Sequence, residues 1–201
     1  MKNPIILFDA DGVLTLAEEA FSIVYARSHG LDDEPFEHFF QTEWRDYVMG
    51  KKDLKQSITE NRQLWQWDAD ADSFLDYWFK TEDIRNDQLI ELIRTLDQKG
   101  VACYLATEQE KYRAAYMKDV MFPGLFRDYF ITCELGFTKN DPAFYQAIIE
   151  RLRQDRPDLT PQDIIFFDDG QSKVDTAASV GINAQLYQGV DHVKQVLADW
   201  L

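Results

Sequence analysis

A chain of 201 residues with 45% apolar and 28% charged side chains can bury one hydrophobic core under a wet surface, which excludes a disordered tail or a miniprotein scaffold. Its 36 acidic against 21 basic residues give a net charge of −15, so it repels nucleic acid and anionic membrane, and neither is expected as a partner. A phosphorylated small molecule would be repelled as well, unless a metal, a lysine or backbone N–H groups make a local anion site.

No apolar stretch approaches the ~20 residues that span a bilayer. Asp9 also cuts the opening run short of the ~7 to 15 apolar residues of a secretory core, so export is not expected. Cys103 and Cys133 are too few for a disulfide framework and wrongly spaced for zinc, which points to buried thiols in a reducing cytoplasm.

In chain order, "IILFD" reads as a first strand rich in β-branched and aromatic residues. Helical patterns follow over Leu16 to Ser28, stopped by Gly30, and over Asp33 to Met49, with Pro35 in the first turn and Gly50 after the last. Two more cover Asp53 to Trp65 and Asp72 to Lys80. These fill a crossover from Thr15 to about Ile84, far longer than the ~10 to 12 residues a minimal crossover needs. The expectation is a small helical domain over residues 16–82, inserted into a core made of 1–15 and 83–201. Helix then alternates with strand: Asn86 to Lys99 closed by Gly100, "VACYLAT", Lys111 to Val120, "YFITCE", Pro142 to Arg153, "DIIFFDD", Ser172 to Val180 closed by Gly181, "NAQLY", and Val190 to Trp200. That alternation predicts an α/β fold, a Rossmann-like parallel five-stranded sheet with helices on both faces.

The strand ends carry the polar residues. Asp9 and Asp11 would share a side of the first strand if extension persisted through Ala10, and Gly12 lets the backbone turn sharply towards a ligand. "VACYLAT" ends in Thr107, "DIIFFDD" in Asp168 and Asp169, and Lys139 lies in the loop "GFTKNDP". In open α/β sheets ligands bind outside the carboxyl ends of the strands, so these residues can converge. Adjacent carboxylates need a cation, and oxygen-only donors favour a hard one such as Mg²⁺. Singly, each residue has an ordinary role as turn cap, strand-end hydroxyl or solvated lysine; together they make a site.

This ordered set resembles the haloacid dehalogenase (HAD) superfamily, and within it the phosphatases that carry a helical cap after the first motif. "FDADGVLT" is similar to the first motif, "LATEQ" to the second, "GFTKNDPAFYQAI" to the third and "IIFFDDGQSKVDTAASVGI" to the fourth. The resemblance implies that Asp9 is the nucleophile that takes the phosphoryl group and Asp11 the general acid and base. It implies that Thr107 and Lys139 bind the phosphoryl group. It gives Mg²⁺ the side chains of Asp9 and Asp169 and the main-chain carbonyl of Asp11, with Asp168 one layer further out. Asp169 ranks above Asp168 because it aligns with the aspartate of the family's Gly-Asp and Glu-Asp variants.

Three positions depart from the family's pattern. Glu108 stands where many relatives have asparagine and adds charge beside an anion site, Lys173 replaces an acid that some relatives carry, and Asn140 replaces a common proline. In the insert, Lys51 and Lys52 of "YVMGKKDLKQ" occupy a turn which in helical-cap relatives reaches over the core, so with Glu108 they are candidates for substrate binding. Trp44, Trp65, Trp67 and Trp78 read as the insert's own core. The implied activity is Mg²⁺-dependent hydrolysis of a small phosphorylated metabolite through an aspartyl-phosphate. A sugar-phosphate mutase of the same superfamily and, from another class, a receiver-type phosphoacceptor module are the alternatives.

Overall fold

The computed structural model describes residues 3–32 and 34–201. Its sheet consists of β1 (Ile5–Phe8), β2 (Ala102–Thr107), β3 (Tyr129–Ile131), β4 (Ile164–Asp168) and β5 (Asn183–Leu186), all parallel and in the order β3-β2-β1-β4-β5. Between β1 and β2 the chain runs through α1 (Phe21–His29), α2 (Glu34–Thr42), α3 (Trp44–Val48), α4 (Leu54–Asn61), α5 (Ala71–Thr81) and α6 (Asp87–Gln98). The later crossovers carry α7 (Lys111–Tyr116), α8 (Thr132–Leu135), α9 (Pro142–Asp155) and α10 (Gln171–Ser179), and α11 (Val190–Val196) follows β5.

Central β1 is buried along its whole length because its side chains alternate between two covered faces. Ile6 and Phe8 join one cluster with Ile93 and Leu96 of α6 and Val193 of α11, while Ile5 and Leu7 join another with Phe144 and Ile148 of α9. A third cluster belongs to the inserted helices, where Phe21, Tyr25, Phe36, Phe39, Trp65 and Phe74 are buried together. Side by side, residues 14–16 and 84–86 join insert to sheet: Leu16 N–H donates to Ile84 O at 2.7 Å and Asn86 N–H to Leu14 O at 2.9 Å.

Several helix limits differ from the sequence expectation. The first starts at Phe21, not Leu16, because the chain before it makes the crossing to residue 84. The helix expected over Asp33 to Met49 divides at Glu43 into α2 and α3, and its start at Asp33 lies outside the described residues. The tail of "YFITCE" leaves the sheet: Thr132 opens a helical turn closed by Gly136, its Oγ1 accepting the Gln109 N–H. Of the two cysteines, Cys103 is buried and Cys133 half-buried.

Candidate active site

Asp9 follows the last residue of β1, is 3% exposed, and donates its N–H to Phe167 O of β4 at 2.9 Å. Lys139 meets it from the loop between α8 and α9, with Nζ 2.6 Å from Asp9 Oδ1 and 2.7 Å from Asp168 Oδ2. Burial, opposed by the Lys139 charge and reinforced by Asp168, leaves the Asp9 carboxyl pushed up to about 7. For Lys139 burial opposes the charge, but the two carboxylates outweigh it and raise its pKa, so the lysine is a fixed cation and not a solvated loop residue.

Asp168 spends both oxygens on protein: Oδ2 accepts from Lys139 and Oδ1 from the Gly170 N–H at 2.8 Å. Asp169 is exposed, and its carboxylate lies against Gly12, where a Cβ would collide with Oδ2. Gly12 also has φ +76°, so close approach and backbone conformation both call for glycine there. One carboxylate oxygen from each of Asp9, Asp168 and Asp169 lies within 4.8 Å of the others. An anionic, all-oxygen set of this kind fits a hard divalent cation and not a soft one.

Asp11 stands apart from that set. The extension needed to align it with Asp9 ends at Ala10, whose carbonyl accepts the N–H groups of Val13, Leu14 and Thr15 in a tight turn. The Asp11 carboxylate accepts from Thr15 Oγ1 at 2.8 Å, Gln109 Nε2 at 2.5 Å and Arg113 NH2 at 3.1 Å. Burial works to raise its pKa, but the Arg113 charge and the bonds from Thr15, Arg113 and Gln109 prevail and hold it below the usual carboxylate range. About half of the side chain, 55%, remains open to the cleft.

Thr107 ends β2 and is 1% exposed. The charge of Glu108 is tied down by backbone, since Oε2 accepts the Lys139 N–H at 3.1 Å. Lys51 and Lys52 are elsewhere: Lys52 pairs with Glu43 at 3.2 Å and Asp46 at 3.6 Å, and neither lysine lines the cavity beside Asp11. The turn before them does reach the core, at Gly50, where a Cβ would clash with the Cys133 carbonyl.

Thr15, Glu82, Gln109 and Arg113 were not anticipated as site residues. Arg113 NH1 stands 2.7 Å from Glu82 Oε2 while NH2 reaches Asp11, and the arginine side chain is 3% exposed. The sequence does hold one signal for it, because Arg113 precedes Met117 by four residues and so shares the helix face that Met117 buries.

A family model described as haloacid dehalogenase-like hydrolase matches residues 4–181, and the chain belongs to that family. No curated protein matches the sequence. Among solved structures, the fold is similar to a HAD family enzyme of Bacteroides thetaiotaomicron, at 14% identity over 98% of this chain and 99% of that one, with a TM-score of 0.79. The same enzyme in complex with magnesium and inorganic phosphate is similar at 17% identity, 96% and 99% coverage and a TM-score of 0.77. A HAD phosphatase from Thermococcus onnurineus is similar at 18% identity, 96% and 97% coverage and a TM-score of 0.64. No helix among the described residues is long and apolar enough to cross a membrane.

Proposed function

We propose that this HAD-like hydrolase is a Mg²⁺-dependent phosphomonoesterase acting on a small phosphorylated metabolite. The observation that carries the reading is the buried Asp9–Lys139–Asp168 arrangement with Asp169 open beside it and Asp11 separately held at the cleft. Asp9, Asp169 and the main chain at Asp11 would hold Mg²⁺, which when bound offsets negative charge on the phosphoryl oxygens. That the similar Bacteroides thetaiotaomicron enzyme was solved in complex with magnesium and inorganic phosphate supports the choice of metal.

An oxygen of Asp9 attacks phosphorus and the bond to the leaving oxygen breaks, its electron pair going to the alcohol, which takes a proton from Asp11, whose protonated form the negative charge of the bound phosphoryl group favours against the pull of Arg113. Water then attacks phosphorus, gives its proton back to Asp11, and frees Asp9 and inorganic phosphate. Lys139 lowers the Asp9 pKa against its burial and, with Thr107, binds the transferring group. The insert over residues 16–82 acts as a cap that shields this chemistry from bulk water. The two free thiols suit a cytoplasmic setting.

The test is release of phosphate from acetyl phosphate and p-nitrophenyl phosphate, with Mg²⁺ and with chelator. Turnover that needs Mg²⁺ and vanishes in Asp9→Asn is expected. Turnover that persists in the variant would exclude Asp9 as nucleophile, and transfer of phosphate between sugars without release would favour the mutase.

A further inference from the structure

In the reaction proposed above, the proton from Asp11 goes to the leaving oxygen, so the organic group on that oxygen must lie where the Asp11 carboxylate is open. That place is a cavity of about 440 Å³ between the insert and the sheet. A dry cavity of ~150 Å³ holds benzene, so this one accommodates a group of two fused rings or a substituted single ring. Its insert side is aromatic: Phe21, Phe40, Trp44 and Trp78. Phe40, Trp44 and Trp78 meet one another edge-on or tilted, with ring centroids 5.2 to 5.7 Å apart, and so form one aromatic wall.

The charges around the cavity are as telling. Asp11, Glu82 and Glu108 line it as carboxylates, and the single cation among the described lining residues, Arg113, is already paired with two of them. The adjoining hollow is lined by Arg45 together with Glu108 and Asp141, so acids outnumber bases there too. A second phosphate or a carboxylate on the substrate would enter a field of its own sign, with no uncommitted cation among the described lining residues to offset its lost hydration.

We propose, on the basis of the phosphatase reading, that the substrate is the monophosphate of an uncharged or cationic alcohol with a ring or other apolar body, which lies on the Phe40–Trp44–Trp78 wall. Compounds with a second anionic group are discriminated against. Lys51 and Lys52, cations expected at the substrate, do not line this cavity.

Benzyl, 4-(aminomethyl)benzyl, 4-carboxybenzyl and glycerol phosphates test it with the full chain and Mg²⁺, because the first three vary remote charge at nearly constant leaving-group chemistry. Acetyl phosphate, too small to use the wall, reports the core reaction alone. The expected result is kcat/KM on the order of tenfold or more higher for the benzyl and aminomethylbenzyl esters than for the carboxybenzyl and glycerol esters. Binding of the non-hydrolysable benzylphosphonate and its 4-carboxy analogue, followed by tryptophan emission, should show the same order. Ile23→Ala, at an exposed lining position, should reduce the benzyl advantage, and Glu108→Gln should narrow the penalty on the carboxylate. Equal kcat/KM across the four esters, or preference for the carboxylate, overturns the proposal while acetyl phosphate turnover keeps the phosphatase reading. Loss of acetyl phosphate turnover as well overturns both.

Discussion

Arg113 sets its NH2 3.1 Å from Asp11 Oδ1. The same guanidinium reaches Glu82 at the end of α5, and Glu82 Oε1 accepts the Phe21 N–H at 2.8 Å at the start of α1. The Asp11 carboxylate is therefore held by a cation that also fastens both ends of the insert.

Arg113→Lys keeps the charge but cannot fork to both carboxylates. It should lower kcat about tenfold or more with KM little changed, which separates positioning from substrate binding. Arg113→Met leaves Glu82 buried without its partner and should cost about 3 to 5 kcal/mol of stability. Adding Glu82→Gln should restore most of that stability in urea titration and none of the lost rate. Recovery of rate in the double variant would show that Arg113 acts only through folding.

Asp9→Asn should yield a folded protein without measurable turnover, because an amide is neither a competent nucleophile nor an anionic ligand. Phosphate release together with a circular dichroism melt checks both halves of the statement.

Asp169→Ala and Asp168→Ala should fail differently. Asp169 packs on Gly12 and is exposed, so its loss should raise the Mg²⁺ needed for half-maximal rate by more than about tenfold while the melting temperature stays put. Asp168 satisfies Lys139 and Gly170 in the dry interior, so its removal should chiefly lower stability. Metal titrations beside thermal melts decide between them, and the reverse pattern would exchange the two roles.

Glu110 caps α7, its oxygens accepting the Arg113 N–H at 2.5 Å and the Tyr112 N–H at 2.9 Å. Burial raises its pKa above the ordinary 4.5, against those bonds and the nearby Arg113 and Lys111 charges. A carboxyl with a higher pKa folded than unfolded holds more protons in the native state, so its contribution to stability falls as pH rises through 4.5 towards the folded value. Glu110→Gln has no such fall. Its stability relative to the parent should therefore improve from pH 4.5 to 7.5, and a difference that stays flat or worsens in urea titrations across that range would contradict the assignment.

Sheet and site were legible to different depths. The alternation of short apolar strands with helices ending at Gly100 and Gly181 pointed to parallel strands, since a strand buried on both faces must be apolar at every position, as β1 is, but not to their order. The polar strand ends likewise led to Asp9, Asp168 and Lys139, which the fold brings within hydrogen-bonding distance. What the sequence withheld is tertiary. The turn at Ala10 gives Asp11 a separate set of partners, and the spacing to Met117 that places Arg113 on a buried helix face does not reveal its partner Glu82, 31 positions earlier. Lys51 and Lys52 stood out by charge, but charge at a helix turn does not say which way the turn faces.

Tyr112 and Tyr116 of α7 pack against the aromatic cluster of the insert, while Arg113 between them turns to Asp11. One turn of helix is thus a seam, half of it upholstery for the inserted helices and half of it a bracket for the chemistry. Exchanging the insert for a different one would strand both tyrosines and remove Glu82 from the guanidinium. The stretch "EKYRAAY" and the insert are consequently a single transplantable part, and a chimera that moves one without the other carries a mismatched joint.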